Sequence, residues 1–176
     1  MKIKELVKII KQGRVAVIPT DTLYGLVAGA FSNKAIGKIY KIKKRQKSKP
    51  LITLISSLTD LKKFKIKPSQ EELKILRTVW PGPVSVILSG KAFRLPKKKS
   101  LIEVLKKTGP LVAPSANPEG KKAALTIQEA RKYFGNQVDF YLAGGRLRGQ
   151  PSTLIEIRNR EIKVLRQGVV QIKHSL

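Results

Sequence analysis

Cysteine is absent from this chain of 176 residues, and histidine occurs once, as His174 close to the end. Without cysteine the chain can form no disulfide, thiolate nucleophile or cysteine-ligated zinc site. A Ser-His-Asp hydrolase has no histidine to use unless the tail folds back, and a histidine-ligated metal site is equally disfavoured. We therefore predict that no metal is bound by protein side chains.

Acidic residues and long hydrophobic runs are also scarce. The chain has 11 Asp and Glu residues against 37 Lys and Arg residues, which gives a formal net charge of +26. No apolar run approaches the ~20 residues of a membrane span, and no signal-peptide cleavage pattern follows the N-terminal segment. We therefore expect a cytoplasmic protein with no membrane partner. The positive charge favours nucleic acid or nucleotide binding, but lysines spread over solvated faces would give the same count.

Hydrophobic periodicity and punctuating residues predict helices and strands that interleave along the chain. Ser69 with Glu72 and Ser100 with Glu103 form capping-box patterns at two helix starts. Helices are predicted near 3–10, 32–40, 58–64, 70–79, 100–107 and 126–134. Strands are predicted at 15–18, 51–55, 84–88, 111–113 and 138–142, followed by a hairpin at 152–157 and 161–165. No linker or repeat is visible, so we predict one α/β domain over 1–176 with a mixed sheet.

Polar residues crowd together directly after the first predicted strand. The stretch from Arg14 to Ala28 reads RVAVIPTDTLYGLVA, in which Pro19 follows an apolar run and a Thr-Asp-Thr cluster comes next. Polar side chains at a strand end are typical of a binding site at the edge of an α/β sheet. A simple Ser/Thr/Asp turn after a strand is an equally good interpretation of this spacing.

Two pairs of residues could bind an anion together. In an extended chain, residues two apart point the same way, so Lys43 and Arg45 could face one phosphate group. The lysine would act as a point charge, and the arginine guanidinium would donate paired hydrogen bonds. Ser115 and Asn117 have the same spacing and can donate hydrogen bonds to a phosphate or carboxylate. The alternatives are a solvated charge run at a helix end and a turn between two prolines.

Two arginines have apolar neighbours, and one glycine-rich loop resembles a phosphate cradle only in part. Arg94 and Arg166 lie in strand-like segments, where a cation usually needs an anionic partner. The loop from Gly144 to Gly149 has the glycine spacing of a P-loop, but Gln150 and Pro151 stand where Lys and Ser/Thr are required. A nucleotide would therefore be bound by side chains from several elements.

Eight short motifs, in order, give the chain a resemblance to a known family. They are PTDTLYGL at 19–26, IYKIKKR at 39–45, KPL at 49–51, WPGPVSVIL at 80–88, FRLP at 93–96, PLVAPSAN at 110–117, PSTLIEI at 151–157 and VLRQG at 164–168. The set resembles the YrdC/YciO family of threonylcarbamoyl-AMP synthases, in its short single-domain form. The resemblance implies a twisted, mixed, open α/β sheet with flanking helices around a basic cavity.

The resemblance also implies a reaction and a set of site residues. ATP, bicarbonate and L-threonine would give threonylcarbamoyl-AMP and pyrophosphate for tRNA modification, with Mg²⁺ on the phosphates and downstream threonylcarbamoyl-transfer proteins as partners. Lys43 and Arg45 would be the catalytic cations that neutralise the triphosphate. The resemblance assigns ATP binding to Lys43, Arg45, Lys49, Ser115, Asn117 and Arg166. It assigns threonine binding to Thr22, Arg94, Ala113 and Ser152.

Some positions depart from the family pattern, and other functions remain open. Gln46 replaces a usual proline, the segment 118–120 replaces a small Ser-Gly run, and Lys122-Ala123-Ala124 lies where a Pro-Ser is expected. The alternatives are a YciO-like paralogue, a carbamoyl-adenylate-forming enzyme, or a module that binds tRNA or double-stranded RNA without turnover. The aromatic content of 6% disfavours base stacking as the main activity.

Overall fold

The computed structural model describes residues 2–147, 149–158 and 161–172. Within these residues the helices are α1 (Lys2–Lys11), α2 (Asn33–Lys43), α3 (Gln70–Val79), α4 (Lys99–Thr108) and α5 (Ile127–Phe134). The strands are β1 (Ala16–Pro19), β2 (Tyr24–Gly29), β3 (Thr53–Leu54), β4 (Val84–Leu88), β5 (Lys91–Arg94), β6 (Leu111–Val112), β7 (Phe140–Tyr141), β8 (Thr153–Arg158) and β9 (Glu161–Arg166). Short 3₁₀ helices cover Leu58–Phe64 and Gly135–Gln137. His174 and residues 159 and 160 in the turn of the predicted hairpin lie outside the described residues.

The strands form one mixed sheet, as predicted. The order across the sheet is β7-β1-β2-β6-β3-β5-β4-β8-β9. The pairs β1/β7, β3/β5 and β4/β8 are parallel, and the other neighbouring pairs are antiparallel. Strands that are distant in sequence are thereby brought side by side, and the site described below is lined by residues at or next to β2, β3, β5, β6, β8 and β9.

Helices cover both faces of the sheet, and β1 shows how the sequence directs this. Ala16 and Ile18 pack in a cluster with α1 and α4, while Val15 and Val17 pack in a cluster with α2 and α5. Alternate residues of a strand point to opposite faces, so an uninterrupted apolar run is what a strand buried on both faces requires. A third cluster joins α3 and the first 3₁₀ helix to β4, β5 and β8.

Strand β2 was not predicted from the sequence. It pairs antiparallel with β1, from Pro19 opposite Tyr24 to Ala16 opposite Val27. All but its last residue are buried, so the strand shows no alternation of polar and apolar residues. The polar stretch is therefore the turn of a hairpin, and β2 continues from it into the core.

The capping-box prediction is confirmed at α3 and wrong at α4. Ser69 Oγ accepts a hydrogen bond from the Glu72 amide at 3.1 Å, and Glu72 Oε2 accepts one from the Ser69 amide at 2.7 Å. Helix α4 begins at Lys99, with Lys98 as its N-cap and no side-chain cap. Ser100 is therefore already the second helical residue, where its hydroxyl cannot cap.

Replacing Ser69 by alanine is expected to lower the free energy of unfolding by about 1 kcal/mol, because the Glu72 amide loses its acceptor at the helix start. Urea unfolding followed by circular dichroism measures the change. Ser100→Ala is the matched control and should change stability by less than about 0.5 kcal/mol. Equal losses in both variants would contradict the capping assignment.

Among the described residues, no helix has the length and apolar character needed to cross a membrane.

Candidate functional site

A cavity of about 70 Å³ lies where the start of β2, the end of β5 and the segments beside β6 and β8 meet. By the same measure one water molecule needs about 10–15 Å³, so the cavity is large enough for a small organic group. Six residues predicted for the site line it: Thr22, Arg94, Ala113, Ser115, Ser152 and Arg166.

Arg94 is a buried cation in the wall of this cavity. Its side chain is 5% exposed, and its Nη2 lies 2.9 Å from Oδ1 of Asp21. Nη1 donates a hydrogen bond to Thr22 Oγ1 at 3.2 Å. Burial lowers the pKa of Arg94, and the Asp21 carboxylate opposes that shift. Asp21 is thus the anionic partner that an arginine between apolar neighbours requires, a role that was not predicted for it.

Part of the hydrogen-bonding capacity of this ion pair is unused. Arg94 Nε and Asp21 Oδ2 are buried and have no hydrogen-bond partner in the part of the chain that the structure describes. An arginine with a free donor beside a small cavity can bind a carboxylate that enters it.

Thr20 fixes the turn that carries Asp21 and Thr22. Its Oγ1 donates to the Leu23 carbonyl at 2.6 Å and accepts from the Thr22 and Leu23 amides at 3.2 and 3.3 Å. The polar stretch is therefore both a threonine-stabilised turn and a wall of the cavity. The two interpretations of its sequence do not exclude each other.

The opposite wall depends on a close approach of two backbone segments. Arg166 at the end of β9 donates to the Ser152 carbonyl from Nε at 3.2 Å and from Nη2 at 2.9 Å. A Cβ at Gly168 would lie 2.3 Å from the Pro151 carbonyl oxygen, so only glycine fits there. Ser152 Oγ in turn lies 2.9 Å from Ser85 Oγ.

Lys43 and Arg45 are not arranged as predicted. The prediction of extended chain is wrong, because α2 continues to Lys43 and Lys44 caps it in the left-handed region at φ 53°. Lys43 is buried, and its Nζ donates to the carbonyl oxygens of Ser115 at 2.6 Å and Asn117 at 2.5 Å. Lys43 thereby holds the segment after β6 against the end of α2.

The environment of Lys43 changes its proton affinity. The pKa of Lys43 is lowered to about 8, mainly by burial and further by repulsion from Arg45, while attraction to Glu119 partly opposes the shift. Arg45 and burial also lower the pKa of Arg166, with burial the larger cause. Arg45 thus interacts electrostatically both with Lys43 at the end of α2 and with Arg166 in the cavity wall.

A carboxylate that was not predicted lies among the remaining cations. Glu119 Oε1 is 2.7 Å from Lys49 Nζ and 3.9 Å from Arg45 Nη1. The hydrogen bond from Lys49 is the largest cause that lowers the pKa of Glu119. Arg45 also donates to the carbonyls of Lys49 and Pro50 at 3.3 Å. The only sequence signal for Glu119 was its departure from the expected small residues.

Asn117 lies beside the cavity rather than in its lining. Its Nδ2 donates to the carbonyls of Pro118 at 3.0 Å and Lys121 at 2.7 Å, and its buried Oδ1 has no partner among the described residues. It therefore organises the 117–121 loop, next to the cations of Lys43, Arg45 and Lys49.

The site therefore joins two regions of different character. The small cavity, with Arg94 in its wall, suits a compact anion. The cations at Lys43, Arg45, Lys49 and Arg166 suit a ligand with several negative charges. In the described part of the chain, no group of three or more His, Cys, Asp or Glu side chains is placed to hold a metal ion.

The amino-acid sequence is similar to named enzymes over most of its length. A family model for Sua5, YciO and YrdC proteins, described as "Telomere recombination", matches residues 8–168. A Neisseria gonorrhoeae protein named threonylcarbamoyl-AMP synthase is 33% identical over 165 residues, which cover 84% of this chain and 86% of that protein.

Solved structures share the fold. The crystal structure of Pyrococcus abyssi Sua5 complexed with L-threonine superposes with a TM-score of 0.86 at 27% identity. That match covers 94% of this chain and 54% of the Pyrococcus protein, so this chain spans about half of it. Escherichia coli YciO superposes with a TM-score of 0.89 at 23% identity, over 99% of this chain and 92% of that protein. The second likeness concerns the fold alone.

Proposed function

The chain belongs to the Sua5/YciO/YrdC family, and from this premise we propose that it is a threonylcarbamoyl-AMP synthase. The reaction would join ATP, bicarbonate and L-threonine, and would release pyrophosphate. The observation that carries the proposal is the small cavity with Arg94 in its wall, next to a cluster of cations. The name of the Neisseria relative and the threonine complex of the Pyrococcus structure support it.

The cavity is proposed to bind L-threonine. Arg94 would take the carboxylate, since its unpaired Nε adds a donor to those of its terminal nitrogens. Thr22, Ala113 and Ser152 would surround the rest of the amino acid, because all three line the same space as Arg94.

The cations are proposed to bind ATP. Lys43, Arg45, Lys49 and Arg166 would neutralise the phosphates, and Ser115 would donate a hydrogen bond from the loop that Lys43 holds. The amide donors of Asn117 are used within this loop, so Asn117 would contact ATP by accepting a hydrogen bond at its free Oδ1. Mg²⁺ would arrive on the triphosphate and needs no protein ligand set of its own. Glu119 would have to give up at least one of its cation contacts.

The proposed chemistry needs no nucleophilic side chain. The threonine amine, after losing a proton, attacks the carbon of bicarbonate and water leaves, which gives a carbamate. A carbamate oxygen then attacks the α-phosphorus of ATP, and pyrophosphate leaves. Because all three substrates bring negative charge, catalysis consists of positioning and charge neutralisation. We also propose that the product serves tRNA modification in the cytoplasm, through a downstream threonylcarbamoyl-transfer protein.

Pyrophosphate release from ATP and bicarbonate tests this function directly. We expect release that requires L-threonine, and roughly tenfold less release with L-serine, because one missing methyl group weakens binding by about that factor. A coupled enzymatic assay for pyrophosphate, with and without each amino acid, measures both rates. Absence of release with any amino acid, from protein shown to be folded, would refute the synthase assignment.

A second candidate is a carbamoyl-adenylate-forming enzyme or a YciO-like paralogue with another substrate. Glu119 favours it, because this carboxylate contacts Lys49 and Arg45 from the segment 118–120, where the sequence departs from the pattern of the synthases. Release of pyrophosphate from ATP that does not require threonine would establish this candidate in place of the first.

A further inference from the structure

A pair of stacked aromatic rings, one exposed and one half-buried, lies outside the cavity that contains Arg94. Phe31 follows β2 and is 60% exposed. Its ring stacks on Phe64 with centroids 4.9 Å apart and planes at 26°, and Phe64 contacts buried Phe93 edge to face at 5.0 Å. The Phe31 ring is therefore exposed to solvent, and Phe64, on which it stacks, contacts the hydrophobic core through Phe93.

Lysines surround these rings in a groove of about 360 Å³. Lys65 and Lys91 are exposed and form no ion pair with any described residue, while Lys63 pairs with Asp60 at 2.7 Å. No residue that lines the groove carries a carboxylate in the described part of the chain. The volume falls in the range of about 300–1,000 Å³ that is typical of ligand pockets.

The groove and the cavity with Arg94 share no lining residue, but they are neighbours, because Leu51 and Thr53 of the groove flank Ile52 of the cavity. The cavity is at the Tyr24 end of β2, whereas Phe31 lies two residues beyond its last residue, Gly29. With a rise of about 3.3 Å per residue, the two ends of β2 are about 17 Å apart, so Phe31 lies at the opposite end of this strand from the cavity.

We propose that this groove binds single-stranded RNA, with one base stacked on Phe31 and the flanking phosphates near Lys65 and Lys91. An aromatic face beside a positive groove is the combination that single-stranded nucleic acids require, because any base can stack and the cations follow the backbone. The net charge of +26 supplies long-range attraction to a polyanion. A purely apolar partner would leave the two lysines without counter-charges, and an acidic peptide would not use the exposed ring.

The stacking part of the proposal is tested with Phe31→Leu and Phe31→Tyr. Binding of a fluorescein-labelled twelve-residue oligouridylate, followed by anisotropy, should weaken about tenfold in Phe31→Leu, since loss of one stacked base has that effect. Phe31→Tyr keeps the ring and should bind like the wild type. Pyrophosphate release should be unchanged in both variants, so this result is independent of the proposed synthase activity.

The electrostatic part is tested with the double variant Lys65→Ala/Lys91→Ala. The slope of log K against log salt concentration should become less steep by about 1.4, at roughly 0.7 per lost phosphate contact on a single strand. Lys132→Ala/Lys163→Ala removes the same charge from exposed positions on α5 and β9 and should change the slope far less.

Three results would overturn the proposal. The first is no binding of the oligonucleotide by the wild type at 150 mM salt. The second is wild-type affinity in Phe31→Leu, since the ring would then take no part. The third is equal effects of the two double variants, which would mean that RNA binds the charged surface without preference for the groove. If only the lysines of the groove mattered, an acidic protein partner would be the better interpretation.

Discussion

Replacing Lys43 by alanine is expected to lower kcat/KM for ATP in pyrophosphate release by roughly 10²–10³-fold, the usual effect of losing one preorganised electrostatic group. Two losses combine in this variant. One cation disappears from the proposed phosphate site, and the carbonyls of Ser115 and Asn117 lose the donor that holds their loop. Steady-state kinetics with varied ATP at saturating threonine measures the change.

Lys41→Ala is the matched control for Lys43→Ala. Lys41 lies on the last turn of the same helix and is exposed, so kcat/KM should stay within about twofold of the wild type. Near-UV circular dichroism of both variants checks that the fold is retained. Undiminished pyrophosphate release from Lys43→Ala would remove Lys43 from the catalytic machinery.

The lowered pKa of Lys43 adds a pH dependence to the same prediction. With a pKa of about 8, the ammonium loses its proton above that pH, and kcat/KM for ATP should fall tenfold per pH unit. Lys43→Arg keeps a positive charge and should lack this alkaline decline.

Stability should change in the opposite direction to activity. The unfolded chain binds the Lys43 proton up to about pH 10.5, whereas the folded chain releases it near 8. Between these values the unfolded state holds more protons, so the free energy of unfolding rises with pH by this contribution. Below pH 8 the cost of burying the charge is present in full. Comparison with Lys43→Met, which has no charge to lose, isolates the effect.

Replacing Arg94 by alanine is expected to destabilise the fold and to abolish efficient use of threonine. Asp21 would be left as a buried charge without its counter-ion, which costs about 3–5 kcal/mol. The proposed contact to the threonine carboxylate would also be lost, and the KM for threonine should rise at least about 30-fold. Urea unfolding and threonine titrations of pyrophosphate release measure the two effects.

A double variant separates these two effects of Arg94. Asp21→Ala/Arg94→Ala removes both charges and should recover part of the lost stability, while the KM for threonine stays high. Arg77→Ala, an exposed position on α3, should change neither quantity beyond about 0.5 kcal/mol or twofold. A wild-type KM for threonine in the folded double variant would show that Arg94 does not bind the substrate.

Elements whose pattern is local were predicted well. Helix α3 has its capping residues and its apolar face within one stretch of sequence, and β4 is bounded by Pro83 and a turn. Strand β2 is buried on both faces and contains two glycines, so neither periodicity nor punctuation marks it. The position of Arg45 relative to Lys43 depends on the left-handed conformation of Lys44, which its residue type does not suggest.

The composition of the site was harder to predict because its contacts are long-range. The resemblance supplied the residues that line the cavity, but the partner of Arg94 is Asp21, 73 positions earlier in the chain. No local pattern joins two such positions. Gly168 is similar, because its lack of a side chain is explained only by the Pro151 backbone packed against it.

Glu119 gives the proposed nucleotide site an internal counter-ion. Its carboxylate already neutralises Lys49 and lies near Arg45, so a triphosphate that binds these cations does so by exchanging one anion for another. Such an exchange releases fewer salt ions to solution than the binding of a triphosphate to unpaired cations would. The affinity for the nucleotide should then depend less on ionic strength than the net charge of the chain suggests, and the site would discriminate between ligands by charge density rather than by charge alone.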